Sequence, residues 1–456
     1  MVALVSAPTQ VQARSAQVQI SQLQISQLQE SIDALFDQGI EAQADKDYAR
    51  AEVIWQQVLR LDPNNVWAYQ FLGSALHDQG KYEAAEAAYR NAAQLAPDEP
   101  LIQIKLGFAL YAQDRYEEAE AAHRSAIQLD SENALGHISL GLTLFAQRRY
   151  EEASTAYQEA IRLEPDNPQA YHYLGGTLRN QGRDEEAEIA YQEAIRLDPE
   201  DALTYIGLGE VLSNQGRHGE AQTAYQAAID LEPENVSAYL GLGHALYDQT
   251  QYGEAEKAYR RVVQITPDQG WSHSFLGHAI RHQGRHAEAE VVYREAIRRD
   301  PDNQLTYMTL ALTLSAQDRY SEAEAAYREA ISLNPDNQLA HINLALTLYD
   351  QGKHEEAEAA YREAIRLDAD YAVVYNEVGD VLSNQGQYEA AEAAFQEAIQ
   401  LQPDFAEGYY NLGVLYQEQG RLEEALELYH QAIALDPNNT TFQDQLTALE
   451  QRLDER

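Results

Sequence analysis

The sequence contains no cysteine, and its 456 residues include only two methionines and three tryptophans. The absence of cysteine excludes disulfides and thiolate metal sites. Basic residues are also scarce, because 32 Lys and Arg face 74 Asp and Glu and leave a net charge of −42. Charge of this sign repels phosphate backbones and anionic membrane surfaces, so we expect no nucleic-acid partner.

Long apolar segments are missing as well. No apolar run in the sequence approaches the length that is needed to cross a bilayer. The first ten residues, MVALVSAPTQ, lack the basic region and the long apolar region of a secretory signal. We therefore expect no membrane insertion and a cytoplasmic location.

What the sequence has in abundance is one repeated motif, of which EEAEAAYREAIRLD is an example. Variants of it recur with a period of 34 residues, through twelve units and without one insertion or deletion. A fixed period of this length is typical of repeat architectures, in which each unit packs on its neighbours. The units start at Ile32, Val66, Pro100, Ala134, Pro168, Ala202, Val236, Gly270, Gln304, Gln338, Ala372 and Ala406.

Each unit predicts two amphipathic helices, because apolar residues recur in it at three- and four-residue intervals. We call them the first and the second helix of the repeat. A turn such as QGR or QGK lies between them, and its glycine supplies the positive φ that ends a helix. Between units, a segment such as DPD stops the old helix at proline and favours the start of the next.

Four places of the unit are restricted in residue type. Place eight is Gly or Ala in all twelve units, place twenty is always Ala, and place twenty-four is aromatic except at His123. Place thirty-two is Pro in ten units, with Ser131 and Ala369 as the exceptions. The small residues indicate close approach of two helices, and the ring is the large side chain that faces them.

With this length and these four places, the unit resembles the tetratricopeptide repeat. The resemblance covers residues 32–439 and implies an all-α fold, a right-handed α-solenoid (superhelix) of twelve helix-turn-helix repeats. It further implies that the first helices line a concave groove. Residues 440–456 predict a C-terminal capping helix. Residues 1–31 form a Gln- and Ser-rich N-terminal segment, for which we expect partial disorder or a helical extension of the first repeat.

The resemblance also implies that places two, five, nine, twelve and thirteen line the groove. In four units these places are largely apolar, which predicts either packing between repeats or exposed strips for protein contact. The third and fourth units place Leu101, Ile104, Phe108, Tyr111, Leu135, Ile138, Leu142 and Phe145 there. The ninth and tenth units place Leu305, Met308, Leu312, Leu339, Ile342, Leu346 and Tyr349 there.

The fifth to eighth units differ, because cationic and aromatic residues occupy their groove places. These residues are His172, Arg179, His244, Trp271, His278, Arg281 and His282. In a chain of net charge −42 they predict a patch that binds an acidic or carboxylate-bearing segment. With imidazole pKa values near the usual 6.5, such binding should tighten between pH 8 and pH 6.

Zinc binding is a minor alternative for the same residues. His244, His278 and His282 with Asp248 would give a chemically sensible ligand set. Two histidines four residues apart on a helix are common without any metal, however. We therefore expect no metal and no cofactor.

The function predicted is a scaffold or adaptor that binds a protein or peptide segment in the groove. No nucleophile–base arrangement or glycine-rich phosphate loop is present, and 31 residues before the array and 17 after it leave no room for a catalytic domain, so we expect no enzyme. Two alternatives stay open: a regulatory or substrate-recognition arm of a multi-subunit enzyme or assembly-factor system, and a structural array without a dedicated ligand. The pattern indicates no particular oligomeric state.

Overall fold

A computed structural model describes the backbone of residues 10–454 and the side chains of residues 27–453. This part of the chain contains helices and turns and no strand, which confirms the all-α repeat fold. It divides into two compact units, of which the N-terminal unit ends at Pro233 and the C-terminal unit begins at Glu234.

The N-terminal unit holds helices α1 to α12. They are α1 Gln10–Ala44, α2 Tyr48–Leu61, α3 Val66–Asp78, α4 Tyr82–Leu95, α5 Pro100–Tyr111, α6 Tyr116–Leu129, α7 Ala134–Ala146, α8 Tyr150–Leu163, α9 Pro168–Asn180, α10 Asp184–Leu197, α11 Ala202–Asn214 and α12 His218–Leu231.

The C-terminal unit holds helices α13 to α25. They are α13 Val236–Asp248, α14 Tyr252–Ile265, α15 Gly270–His282, α16 His286–Arg299, α17 Gln304–Ser315, α18 Tyr320–Leu333, α19 Gln338–Asp350, α20 His354–Leu367, α21 Ala372–Asn384, α22 Tyr388–Leu401, α23 Ala406–Glu418, α24 Leu422–Leu435 and α25 Thr440–Asp454. In both units each odd-numbered helix up to α23 is a first helix, and the even-numbered helix after it is its second helix.

The restricted places meet inside each helix pair. A Cβ added to Gly73 would lie 2.6 Å from the Tyr89 ring, and one added to Gly209 would lie 2.7 Å from the Tyr225 ring. The alanine at place twenty is fully buried, as at Ala221. The ring therefore occupies the space that the small residue leaves, and the pairing depends on that size difference.

Successive repeats are joined on the second-helix side by a glutamate at place twenty-one. Glu256 of α14 accepts hydrogen bonds from Gln283 at 2.8 Å and Arg285 at 2.6 Å, both in the turn of the next repeat. Arg115 makes the same ion pair with Glu86 at 2.7 Å in the N-terminal unit. These carboxylates therefore have a structural use, because they connect one repeat to the next.

The first helices also contact each other. In the N-terminal unit this holds from α3 to α11, and in the C-terminal unit it holds for α15 with α17 and for α21 with α23. Together the first helices of a unit form one surface, which we call its first-helix face.

The ends of the array are helical where the structure describes them. Helix α1 begins at Gln10, so the first helix of the first repeat extends well before residue 32, and Ile32 is buried. Residues 1–9, for which disorder or a helical extension was expected, lie outside the described residues. Helix α25 buries Phe442 and Leu449 against the last repeat. Within residues 10–454, no helix is long and apolar enough to span a membrane.

Candidate partner-binding face

The apolar residues at groove places fall into buried and exposed sets. Ile104, Ile138 and Met308, all at place five, have only 1%, 6% and 8% of their surface exposed. Of the two alternatives for this place, their burial supports packing between repeats, and a role in partner binding stays a prediction. These side chains are buried because neighbouring first helices contact each other and cover this place; Met308, for example, contacts the Asn337 side chain of the next repeat at 3.6 Å.

Places two and nine are the accessible ones. In the C-terminal unit, Leu305 and Leu339 at place two are 66% and 55% exposed, and Leu312 and Leu346 at place nine are each 38% exposed. Leu135 at place two is also exposed. The remaining predicted apolar residues are half-buried, namely Leu101, Phe108, Tyr111, Leu142, Phe145, Ile342 and Tyr349.

A pocket of about 410 Å³ opens on the first-helix face of the N-terminal unit. It brings together two groups that the sequence predicts separately, the apolar strip and part of the cationic patch. Its predicted lining residues are Tyr111, Leu142, Phe145, His172 and Arg179. The other residues of the wall are Tyr157, Tyr173, Asn180, Tyr191, Leu203, Ile206 and Glu210, with Gly176 and Gly207 between them.

The two cationic candidates in this pocket are already occupied by partners. Arg179 forms an ion pair with Glu210 of α11. The His172 Nδ1 lies 2.8 Å from the Thr204 hydroxyl, and burial lowers the pKa of this histidine below its ordinary value, with a partial opposing effect from Asp201. The pocket therefore carries little net charge.

The other five cationic and aromatic candidates lie in the C-terminal unit, on α13 and α15. Trp271 and His244 both contact the ring of Phe275, with ring centroids 6.3 and 4.8 Å apart. The His244 Nδ1 lies 3.0 Å from the Tyr259 hydroxyl. Phe275, at place six, is a residue that the sequence reasoning missed, although it is the ring at the centre of this group.

His278, Arg281 and His282 complete the group. The His278 ring packs on Tyr293 at 5.7 Å between centroids. The His282 ring is close to Tyr252 at 5.0 Å, and Arg281 Nη2 lies 2.8 Å from its Nε2. Because the guanidinium is a donor only, this contact makes Nε2 the acceptor of a neutral imidazole.

The pKa values of these three histidines are lowered from the ordinary imidazole value. Burial, with Arg281 second, lowers the pKa of His278 to about 4. Burial also lowers the pKa of His244 and His282 below the ordinary value of 6.5. The expected tightening of binding between pH 8 and pH 6 rested on ordinary imidazole pKa values, and the enclosed setting of the rings removes that premise.

Arg281 is the one permanent charge in the group. No carboxylate lies within ion-pair distance of its guanidinium among the residues that the structure describes, whereas most other arginines of the chain are paired with glutamate. Its Nε atom is buried and has no hydrogen-bond partner in that part of the chain. Arg281, and not the histidines, therefore supplies the positive charge of this group.

The zinc alternative finds no geometric support. Across residues 27–453, no three His, Asp or Glu side chains form a group that could hold a metal ion. His244 and His282 instead have the tyrosine and arginine contacts given above.

The first-helix face of the C-terminal unit also carries two partly buried carboxylates that the sequence reasoning did not single out. Burial, reinforced by Glu377, raises the pKa of Asp380 to about 7, and burial raises that of Glu377. Asn411 Nδ2 lies 3.4 Å from Asp380 Oδ2. The available signal was that this repeat carries an acid at both place six and place nine, which no other repeat does.

Comparisons with known proteins agree with the repeat. The sequence profile of the family described as "Cilia and flagella-associated protein 70 C-terminal domain" matches residues 5–235 and 233–449. No curated protein matches the sequence.

Three solved structures resemble the chain with low sequence identity. The APC/C hetero-tetramer Cut9–Hcn1 is 14% identical over 92% of this chain and 96% of its own, with a TM-score of 0.44. Yeast Tom70 is 17% identical over 93% and 97%, with a TM-score of 0.41. YrrB, described as a TPR protein with an unusual peptide-binding site, is 23% identical over 42% and 98%, with a TM-score of 0.36.

The profile covers nearly the whole array. The small residue at place eight also meets the ring at place twenty-four inside helix pairs such as α3 with α4 and α11 with α12. The chain therefore belongs to the family of the cilia and flagella-associated protein 70 C-terminal domain, a family of tetratricopeptide repeats.

Proposed function

We propose that the chain is a non-enzymatic scaffold that binds an extended segment of a partner protein on the first-helix face of its C-terminal unit. The observation that carries the proposal is the exposure of Leu305, Leu312, Leu339 and Leu346. These four leucines occupy the same two places in consecutive repeats. Apolar side chains aligned in this way on a strongly charged protein mark a contact surface.

The chemistry of the segment follows from the neighbours of these leucines. Trp271 and His278 occupy the same places two and nine in the preceding repeat, so they continue the two rows. Arg281 adds an unpaired positive charge at that end. A segment with apolar side chains and an acidic residue complements this surface. The cytoplasmic location stays a prediction.

A random peptide library displayed on phage tests the proposal without a known partner. We expect the full-length chain to enrich peptides with apolar residues and an acid. Leu305→Ser should weaken the selected peptides roughly tenfold, because a leucine side chain contributes on this scale when a partner covers it.

Val291→Ser is the matched control for this experiment. Val291 lies on the second helix α16 and is 69% exposed, close to the exposure of Leu305. The control should bind like the parent. Equal loss in both variants, or loss only in Val291→Ser, would place binding elsewhere than on the first-helix face.

A further inference from the structure

The pocket in the N-terminal unit exists because one repeat lacks a side chain. Place nine carries a side chain in eleven of the twelve repeats, and only the fifth repeat has glycine there, at Gly176. Gly207, at place six of the next repeat, is the second small residue in the pocket wall. Both glycines lie inside helices, α9 and α11, where glycine weakens a helix.

Helix packing does not require Gly176. A Cβ added there would meet only the Tyr191 hydroxyl, at 3.4 Å, which is an ordinary contact. The preceding Gly175 is different, because a Cβ there would lie 3.0 Å from three atoms of the Tyr191 ring. Gly175 is thus the packing glycine of place eight, and Gly176 is a helix-weakening residue whose effect is to leave space.

The space left by Gly176 is walled by rings. Phe145 of α7, Tyr173 of α9 and Tyr191 of α10 line it, together with Ile206 of α11. The His172 ring stands edge-on to Tyr191, with centroids 5.8 Å apart. Ring walls favour another ring, since aromatic pairs gain from offset or edge-to-face contact in addition to area burial.

The charges at the pocket exclude a charged occupant. Arg179 is the permanent cation of the wall, and Glu210 neutralises it. A bound carboxylate would have to compete with Glu210, and a bound amine would have to compete with Arg179. A neutral side chain needs no such exchange.

We propose that this pocket is a specificity subsite on the first-helix face of the N-terminal unit, that it takes one uncharged aromatic side chain (Trp, Tyr or Phe) of a bound partner segment, and that Gly176 opens it. The inference rests on the proposed function, since it extends the binding of partner segments from the first-helix face of the C-terminal unit to that of the N-terminal unit. Leu203, which is exposed at the pocket rim, extends the contact to the neighbouring residue of the segment.

Gly176→Leu tests the subsite by filling it from within. The variant should fold and melt at or above the parent's temperature, because leucine favours the helix and its Cβ meets no clash. Peptides selected on the full-length parent from the phage library should carry an aromatic residue. Synthetic copies should bind Gly176→Leu about ten- to hundredfold more weakly, as expected when a buried aromatic side chain loses its site.

Gly219→Leu is the matched control, because Gly219 is an exposed glycine of α12 whose added Cβ would meet nothing within 4 Å. It should leave the affinity unchanged. Selected peptides that bind Gly176→Leu as tightly as the parent, or that keep their affinity when their aromatic residue is changed to leucine, overturn the subsite. If other peptides selected on the parent lose affinity in Leu305→Ser and keep it in Val291→Ser, the scaffold function stands without the subsite. Failure of the library to enrich any peptide on the parent overturns both.

Discussion

The turn inside each repeat requires a residue with positive φ at place fifteen. Two kinds of residue adopt this conformation in the chain. Seven repeats use glycine, with φ between 72° and 78°, as at Gly284. Five use a residue with a side chain, among them Thr250 at φ 59°. A β-branched residue is strained in this region, so Thr250 is a weak point among otherwise similar turns.

Thr250→Gly should therefore stabilise the C-terminal unit. We expect a gain of about 0.5–1 kcal/mol in the free energy of unfolding, since the relief of strain exceeds the greater freedom of glycine in the unfolded chain. Chemical denaturation of the full-length chain measures the change. The reverse substitution, Gly284→Thr, should destabilise by a similar amount, and a stabilising Gly284→Thr would contradict the explanation.

Asp380 makes the free energy of unfolding of the chain depend on pH. Its pKa is about 7 in the folded chain because of burial and of Glu377, against an ordinary 3.8. A raised pKa means that the contribution to stability is present below about pH 4 and is lost as the pH rises through about 7. Asp380→Asn removes this loss, so it should stabilise the chain more at pH 8 than at pH 5, by an amount on the order of 1–3 kcal/mol at pH 8.

Denaturation midpoints at the two pH values measure this difference. Asp302→Asn, at an exposed aspartate, is the control. Its denaturation midpoints at pH 5 and pH 8 should differ by the same amount as those of the parent. An Asp380→Asn variant with the parent's pH dependence would show that this carboxylate is not held in its protonated form.

At the scale of the helix, the sequence was sufficient where one residue decides the packing. The contact between Gly73 and Tyr89 could be predicted from their places in the repeat, because a small residue and a large ring recur at those two places. Burial of Ile104 could not be predicted, because it depends on the spacing between α5 and α7. The lowered pKa of His278 depends on rings contributed by other helices, and the pocket at Gly176 is a space that only its neighbours define.

The contact between repeats is the element-scale feature that the sequence reasoning missed. A cation at place sixteen and a glutamate at place twenty-one of the preceding repeat occur together in most repeats, as in Arg285 with Glu256. Burial alone would raise the pKa of Glu256, but hydrogen bonds from Gln283, Arg260 and Arg285 outweigh it and lower the pKa. Glu358 has no such cation, because Gln387 stands at place sixteen of the next repeat.

Glu256→Gln should cost about 1–2 kcal/mol at pH 7, since it removes a nearly buried carboxylate from two arginines. Glu358→Gln, which breaks only an ion pair within its own helix, should stay within about 0.5 kcal/mol of the parent. Because the pKa of Glu256 is lowered from 4.5, its contribution is present above that value and is lost as the pH falls below it. The free energies of unfolding of the two variants should therefore become similar in acid. Equal losses of stability at pH 7 would contradict the contact between Glu256 and the arginines.

At the scale of the whole molecule, each repeat packs mainly on its neighbours along the chain. Ala221 is fully buried at place twenty, beside the second-helix ring of its own repeat. Ala221→Leu should overpack that repeat and cost about 1–3 kcal/mol. Hydrogen exchange should rise around α11 and α12 and stay unchanged at both ends of the described chain. A uniform rise along the chain would show that the repeats do not respond locally.

The central claim is that the first-helix face, and not the second-helix face, binds the partner segment. The most direct measurement is photo-crosslinking of a peptide selected on the parent chain. One protein carries p-benzoylphenylalanine in place of Leu312 on α17, and the other carries it in place of Val291 on α16. We expect a crosslinked product at position 312 and none at position 291. Crosslinking at position 291 alone, or in equal yield at both positions, would contradict it.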